Sequence, residues 1–332
     1  MNKQTISRRH VIGAALAAPA IIGTARAQAR MLKMTLADTV ANPVYDICKK
    51  FAADVHERTK GSLDIQVYGA GQLGSQVNAL TGMQTGIIDF VAHTTGYMDT
   101  IWPRCAVLDL PYVFRDGAMA AKVLDGPVGE ELFKAFPERG VYGLCWGHWG
   151  WRPCSTTLTK PLTEPSDMAG LKIRIQPGAI FAESFKQVGA IPVAIDISEV
   201  YVAMSQGAVQ AIETPIISMV ANKMQEIVKV VNQTNFVYNA GALMVSKRRF
   251  DSFTPEQQTA VREAAKDMAV YWRADVATAT DKAAETMKAA GVQIADVDTG
   301  AYTKALKPIY DKFRPVIGDD LVDMVLKQTG AA

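Results

Sequence analysis

Arg174 is the side chain with the clearest chemical potential, set in Ile173–Arg174–Ile175 just ahead of Gln176–Pro177–Gly178. Strand alternation puts it on the face opposite its two apolar neighbours. An arginine at a strand end, beside a Gln-Pro-Gly turn, offers a planar five-donor fork suited to a carboxylate. Spacing alone is equally met by a surface or salt-bridged arginine, since charged side chains are mostly exposed. A second cluster is Gly147–Arg152, which crowds His148, Trp149, Trp151 and Arg152 between two predicted strands. Tryptophan faces stack on flat or apolar ligands, and Arg152 adds another cationic fork. The same aromatics would also suit an interdomain crossing that they simply seal.

A third feature points elsewhere. Gly69–Ala70–Gly71–Gln72–Leu73–Gly74 is a GxGxxG turn after a predicted strand, with Asp89 fifteen residues beyond the last glycine. That partly satisfies a dinucleotide fingerprint. Against it, Ser75–Thr85 is short and polar for a helix that must pack its glycine on the strand, and an earlier βα unit precedes the turn. An exported nicotinamide-dependent oxidoreductase using Gly69–Gly74 is therefore the alternative function. No GxSxG, HExxH, Walker loop or EF-hand pattern occurs. His56, His93 and His148 are scattered, and His93 reads as a hydrogen-bonded structural histidine rather than a catalytic base. The expectation is a protein that is not an enzyme, with no metal and no cofactor.

Alternating signals place these residues on a scaffold. Strands are expected at Leu32–Leu36, Leu63–Tyr68 and Ile87–Ala92, with helices at Val44–Thr59 and near Gln76–Met83. Such βα alternation argues for a mostly parallel sheet with helices on both faces. The same signals recur after Trp151, which implies a second α/β lobe. There Lys172–Ile175 reads as a strand, followed by a helix after Pro177, a short strand Ile191–Ile195 and a helix opening at Ser198–Glu199. Thr254–Pro255–Glu256 starts the clearest helix, which runs to about Ala290 and stops at Gly291. At about 1.5 Å per residue it spans roughly 50 Å, more than one lobe.

The 332 residues suit two domains of ordinary size, and 49% hydrophobic with 20% charged residues is a globular balance. No basic run or acidic tail suggests nucleic acid. Residues 1–27 read as an export signal, with Arg8–Arg9 favouring the twin-arginine route, an apolar run Val11–Ile22 and a small-residue cleavage site at Ala25–Arg26–Ala27. Its removal takes Lys3, Arg8, Arg9 and Arg26 from 35 basic residues and none of the 33 acids, leaving 31 against 33. Cys48, Cys105, Cys145 and Cys154 form no zinc or CxxC spacing, and Cys145 could pair with Cys154 if their strands are neighbours. Buried free thiols fit equally.

The stretch from Gly170 to Pro215 resembles the signature region of the DctP-type extracytoplasmic solute receptors of TRAP transporters. The family pattern is roughly GLKxR followed by SEVYxALQxGxVDGxENP. Gly170, Leu171, Lys172, Arg174, Ser198, Glu199, Val200, Tyr201, Ala203, Gln206, Gly207, Val209, Glu213 and Pro215 match it, whereas Met204, Gln210–Ala211 and Thr214 depart. Lys33–Leu36, Leu110–Asp116 and Leu124–Leu132 extend the resemblance over nearly the whole mature chain.

It implies a two-lobed, type II-like periplasmic binding protein with hinge crossovers and a long helix spanning both lobes. The lobes would be 28–149 with about 238–277, and 150–237 with about 278–330. Such a monomer would close around an organic acid in the periplasm and deliver it to membrane permease subunits. Arg174 is the implied carboxylate clamp, with Arg152, Gln176, Ile197, Glu213 and Thr214 from the second lobe and Gln76 and Thr94 from the first. Sugar-acid receptors of the family carry acidic or amide groups at the Gln76, Thr94 and Thr214 positions, where this chain has smaller or neutral ones. That lowers the case for a polyhydroxylated sugar acid and leaves a C4-dicarboxylate, a 2-oxo or 2-hydroxy acid, or an aromatic acid stacked on Trp149 or Trp151.

Overall fold

The computed structural model describes residues 29–331, so the expected export signal lies outside the described residues. Among the described residues, eleven strands form two sheets. The first contains β1 (Arg30–Thr35), β2 (Leu63–Tyr68), β3 (Phe90–Thr94), β4 (Val141–Trp151) and β10 (Tyr238–Ser246), in the order β2-β1-β3-β10-β4. The second contains β5 (Cys154–Thr156), β6 (Lys172–Ile175), β7 (Ile191–Ala194), β8 (Ala211–Glu213), β9 (Val230–Asn232) and β11 (Gln293–Ala295), in the order β11-β9-β5-β8-β6-β7.

Both sheets are mixed rather than mostly parallel. β1 runs parallel to β2 and β3, and β6 runs parallel to β7 and β8. β10 lies antiparallel between β3 and β4, and β5 lies antiparallel between β8 and β9. The antiparallel strands are those at the crossings: the chain leaves the first sheet from β4 straight into β5 and returns from β9 into β10. β10 is buried along its length, which explains its near-continuous apolar run.

The strand after Gly86 starts later than the sequence suggests. Gly86 takes a left-handed φ of 78°, and the N–H groups of Ile87 and Ile88 both bond to the Gly82 carbonyl. Ile87 is thereby spent in the helix cap and exposed, and β3 begins at Phe90. Likewise, Asp196 rather than Ser198 opens the helix after β7. Its carboxylate accepts from the Ser198 N–H at 3.2 Å, giving a 3₁₀ turn (Ile197–Glu199) before the helix Val200–Ser205.

The helix Pro255–Ala289 has 35 residues. Thr254 accepts from the Gln257 N–H, and the Gln257 side chain accepts from the Thr254 N–H, a capping box that secures its start. Val261, Ala264, Ala265, Met268, Trp272 and Val276 form its buried stripe. This stripe packs on β4 and on the helix Pro43–Arg58, and further along the helix meets Ile216–Ala221 and β11, so it bridges both sheets. Gly147 admits it: a Cβ there would stand 2.2 Å from the Trp272 ring. All four cysteines are free and buried. Cys145 is on β4 and Cys154 on β5, in different sheets, so the disulfide suggested by their spacing does not form.

Candidate functional site

The carboxyl ends of parallel strands from both sheets face one another, the usual place for a ligand in open α/β sheets. Between them lies a cavity of about 30 Å³. The first sheet contributes Asp38 after β1, His93 and Thr94 at the end of β3, Trp149 on β4 and Asn239 on β10. The second contributes Arg174 and Gln176 at the end of β6, with Thr214 after β8. Gln76 enters as the first residue of the helix Gln76–Thr85, whose N-cap is Ser75.

Arg174 is 1% exposed. The strand alternation that singled it out does not carry it to the surface, because β6 is an inner strand and both its neighbours, Ile173 and Ile175, are buried as well. Its Nε donates to the Ile195 carbonyl at 2.8 Å, and its Nη2 to the Tyr97 hydroxyl at 3.4 Å. Its Nη1 is buried with no partner. Burial pulls the guanidinium pKa down from its usual value. Gln176 is similarly half-satisfied: Oε1 accepts from Thr94 Oγ1 at 2.6 Å, while Nε2 is buried and unpartnered. Both residues line the cavity and each keeps a buried donor without an acceptor, and the natural complement of the unpaired guanidinium is an anion.

Arg152 sits in the crossing between β4 and β5 and is also buried. It forms a two-pronged pair with Glu213. Arg152 Nε meets Oε1, and Nη2 donates to Oε2 at 2.6 Å and to the Glu213 carbonyl at 2.6 Å. Glu213 lies behind Arg152 rather than on the cavity wall. The His93 ring stacks on Tyr97 at 5.0 Å between centroids. Its Nδ1 accepts from the Thr94 N–H, which leaves Nε2 as donor to the Gln76 carbonyl at 3.3 Å. Burial pushes its pKa down to about 4, so it is neutral at ordinary pH. Burial pushes the Asp38 carboxyl up to about 6, against the Trp149 indole N–H that it accepts at 2.8 Å.

The bacterial extracellular solute-binding protein family 7 model, DctP, matches residues 36–315. The chain belongs to that family. The 2,3-diketo-L-gulonate-binding periplasmic protein YiaO of Escherichia coli strain K12 is 31% identical over 292 residues, 88% of this chain and 89% of the relative. The C4-dicarboxylate-binding periplasmic protein DctP of Rhodobacter capsulatus is 28% identical over 285 residues, 84% and 85% of the two chains. A TRAP periplasmic solute-binding protein from Xanthobacter autotrophicus, solved with bound β-D-galacturonate, superposes with a TM-score of 0.86 at 29% identity, over 91% of this chain and all of that one (100%).

The protein is a solute receptor, and the oxidoreductase alternative falls with that family membership. The Gly69–Gly74 turn has a structural task instead. It follows β2, an edge strand, whereas the dinucleotide turn follows a strand at the sheet's switch point. The Ala70 N–H donates to the Asp38 carbonyl at 2.7 Å, so the turn braces the loop after β1.

Of the residues singled out in the sequence, Arg174, Arg152, Gln176, Gln76, Thr94, Ile197, Thr214 and Trp149 line the cavity. Trp151 does not: it packs edge-on against Tyr238 and faces an outer groove with Tyr112 and Phe114. The aromatic segment is the last part of β4 itself, not a turn between strands. Gly150, at φ 104°, breaks the alternation between the two tryptophans, and the β4–β10 register slips opposite it between Tyr238 and Ala240. Trp149 is buried edge-on against Trp272 and reaches the cavity by way of Asp38. Asp38, Tyr97, Ser218 and Asn239 are wall residues that sequence reasoning missed.

Proposed function

We propose that the chain is a periplasmic, monomeric receptor that closes around a carboxylic acid and passes it to membrane permease subunits. Arg174 carries this reading: it is a buried guanidinium with one arm unpartnered and neutral groups on the other two. Burying an unpaired cation is unfavourable, and an arriving carboxylate offsets that burden only when the walls are together. Binding and closure are thereby coupled. Residues from both sheets already meet across the cavity, through Thr94 to Gln176 and through Asn42 Nδ2 to Ser218 Oγ at 3.2 Å. The relatives that bind 2,3-diketo-L-gulonate, C4-dicarboxylates and galacturonate all take organic acids, which supports the same chemistry here.

The test is thermal unfolding of the mature chain against a panel of mono- and dicarboxylic acids. An acid at about 100 times its dissociation constant adds about 2.7 kcal/mol of stability. The reading requires at least one acid to raise the midpoint and Arg174→Ala to abolish that rise. A full response in Arg174→Ala would remove Arg174 from the clamp. Sedimentation of the ligand-bound chain as a dimer would refute the monomeric part.

A further inference from the structure

We propose that Asp38 restricts this receptor to monocarboxylates carrying a hydroxyl group and excludes dicarboxylates, a refinement that rests on the carboxylate reading above. The cavity is chemically two-sided. The wall from the second sheet supplies donors, Arg174 Nη1 and Gln176 Nε2, both buried and unpartnered. The wall from the first sheet supplies acceptors. Asp38 takes the Trp149 N–H at 2.8 Å on Oδ2 and the Asn42 side-chain N–H at 2.7 Å on Oδ1. Both donors are neutral, and each carboxylate oxygen keeps a second lone pair. Asn239 Oδ1, on β10, is another buried acceptor without a partner.

A ligand whose carboxylate lies against Arg174 therefore extends toward groups that call for a hydrogen-bond donor. A hydroxyl supplies one. A second carboxylate would instead meet the Asp38 carboxylate, with Asp196 adding to the negative potential there. His93 offers no counter-charge, because its Nδ1 accepts from the Thr94 N–H and its Nε2–H is committed to the Gln76 carbonyl.

Asp38 is held in place from behind. The Ala70 N–H binds its carbonyl at 2.7 Å, with Ala70 at a left-handed φ of 53°. A Cβ on Gly69 would stand 3.0 Å from that same carbonyl and 3.0 Å from the Tyr45 ring. The Gly-rich turn thus fixes the acceptor wall.

The experiment is calorimetric titration of the mature chain with four-carbon acids: 2-, 3- and 4-hydroxybutyrate, butyrate, succinate and 4-aminobutyrate. A hydroxybutyrate should bind on the order of 100-fold more tightly than succinate, since like-charge juxtaposition is strongly unfavourable. In Asp38→Asn, which keeps an acceptor for Trp149, that ratio should shrink to about tenfold or less. Gly69→Ala, which presses on Asp38 without entering the cavity, should also narrow it and serves if Asp38→Asn does not fold. Succinate or 4-aminobutyrate binding best, no hydroxybutyrate binding, or an unchanged ratio in the variants would each overturn the inference. The carboxylate reading is judged separately: it survives any of these results provided that some acid binds and Arg174→Ala abolishes it.

Discussion

Arg152 and Arg174 are the same residue type, are buried to the same degree and line one cavity, yet they stand in opposite electrostatic situations. Arg152 has its own anion, Glu213, which meets it with both carboxylate oxygens and its carbonyl. Arg174 has only a carbonyl and a phenol, with Nη1 left over. The first is an internally completed pair that ties the β4–β5 crossing to β8. The second is an incomplete pair whose missing member is the ligand. Burial alone therefore does not mark a binding arginine; the distinguishing feature is the absence of a paired carboxylate at Arg174.

The largest expected effect breaks the completed pair. Glu213→Ala leaves Arg152 buried without an anion and should destabilise the ligand-free protein by about 3–5 kcal/mol. Urea unfolding measures this directly. A loss below about 0.5 kcal/mol, the range of an ordinary surface substitution, would mean that Glu213 does not hold Arg152 in solution.

Arg174→Ala should behave in the opposite way. Ligand-free stability should be unchanged or raised, because an unpaired buried cation has been removed. Binding of the acid should weaken by about 2–5 kcal/mol, the range for truncating one member of a buried charge pair. If ligand-free Arg174→Ala unfolds as easily as Glu213→Ala, the two arginines are equivalent structural anchors and the contrast fails. Thr94→Val is a milder probe of the same corner. It removes the donor to Gln176 Oε1, and with it a hydrogen bond worth about 1 kcal/mol, so the closed form should weaken slightly. Unaltered affinity would separate Gln176 from the clamp.

The long helix and the first βαβ segment were legible because local rules govern them. Thr254 and Pro255 mark a start that the capping box confirms, and the strand Leu63–Tyr68 matches its alternation. Arg174 was legible as a misfit among isoleucines, but its inner-strand burial was not, since that depends on β7 and β8 flanking it. Trp149 and Trp151 could not be separated by their two-residue spacing. The positive φ at Gly150 undoes the alternation on which such a spacing argument relies. Asp38 and Asn239 lie far apart in the chain and line one cavity only because β1, β3 and β10 are consecutive in the sheet. No local pattern announces that neighbourhood.

The smallest net effect concerns pH. Burial pushes Asp99 up to about 7 and Asp38 to about 6, so the native state holds protons that the unfolded chain has released above its ordinary carboxyl range near 3.8. Those two groups make stability fall as pH rises from about 4 to 7. Burial pushes His93 and His148 down to about 4, so between there and 6.5 the unfolded chain binds the extra protons. Those two make stability rise with pH over that window. The opposing slopes should leave a shallow profile from pH 4 to 6.5 and a modest decline toward 7, where Asp99 acts alone. Asp99 stands at the start of the helix Ala179–Gln187, where a Cβ on Gly178 would lie 2.8 Å from its Oδ2. Asp99→Asn should remove the decline above 6.5 and uncover a rise below it, read as thermal midpoints across the range. A variant profile parallel to the parent's would show that Asp99 titrates normally in the folded protein, and the shallow parent profile would then need no cancellation to explain it.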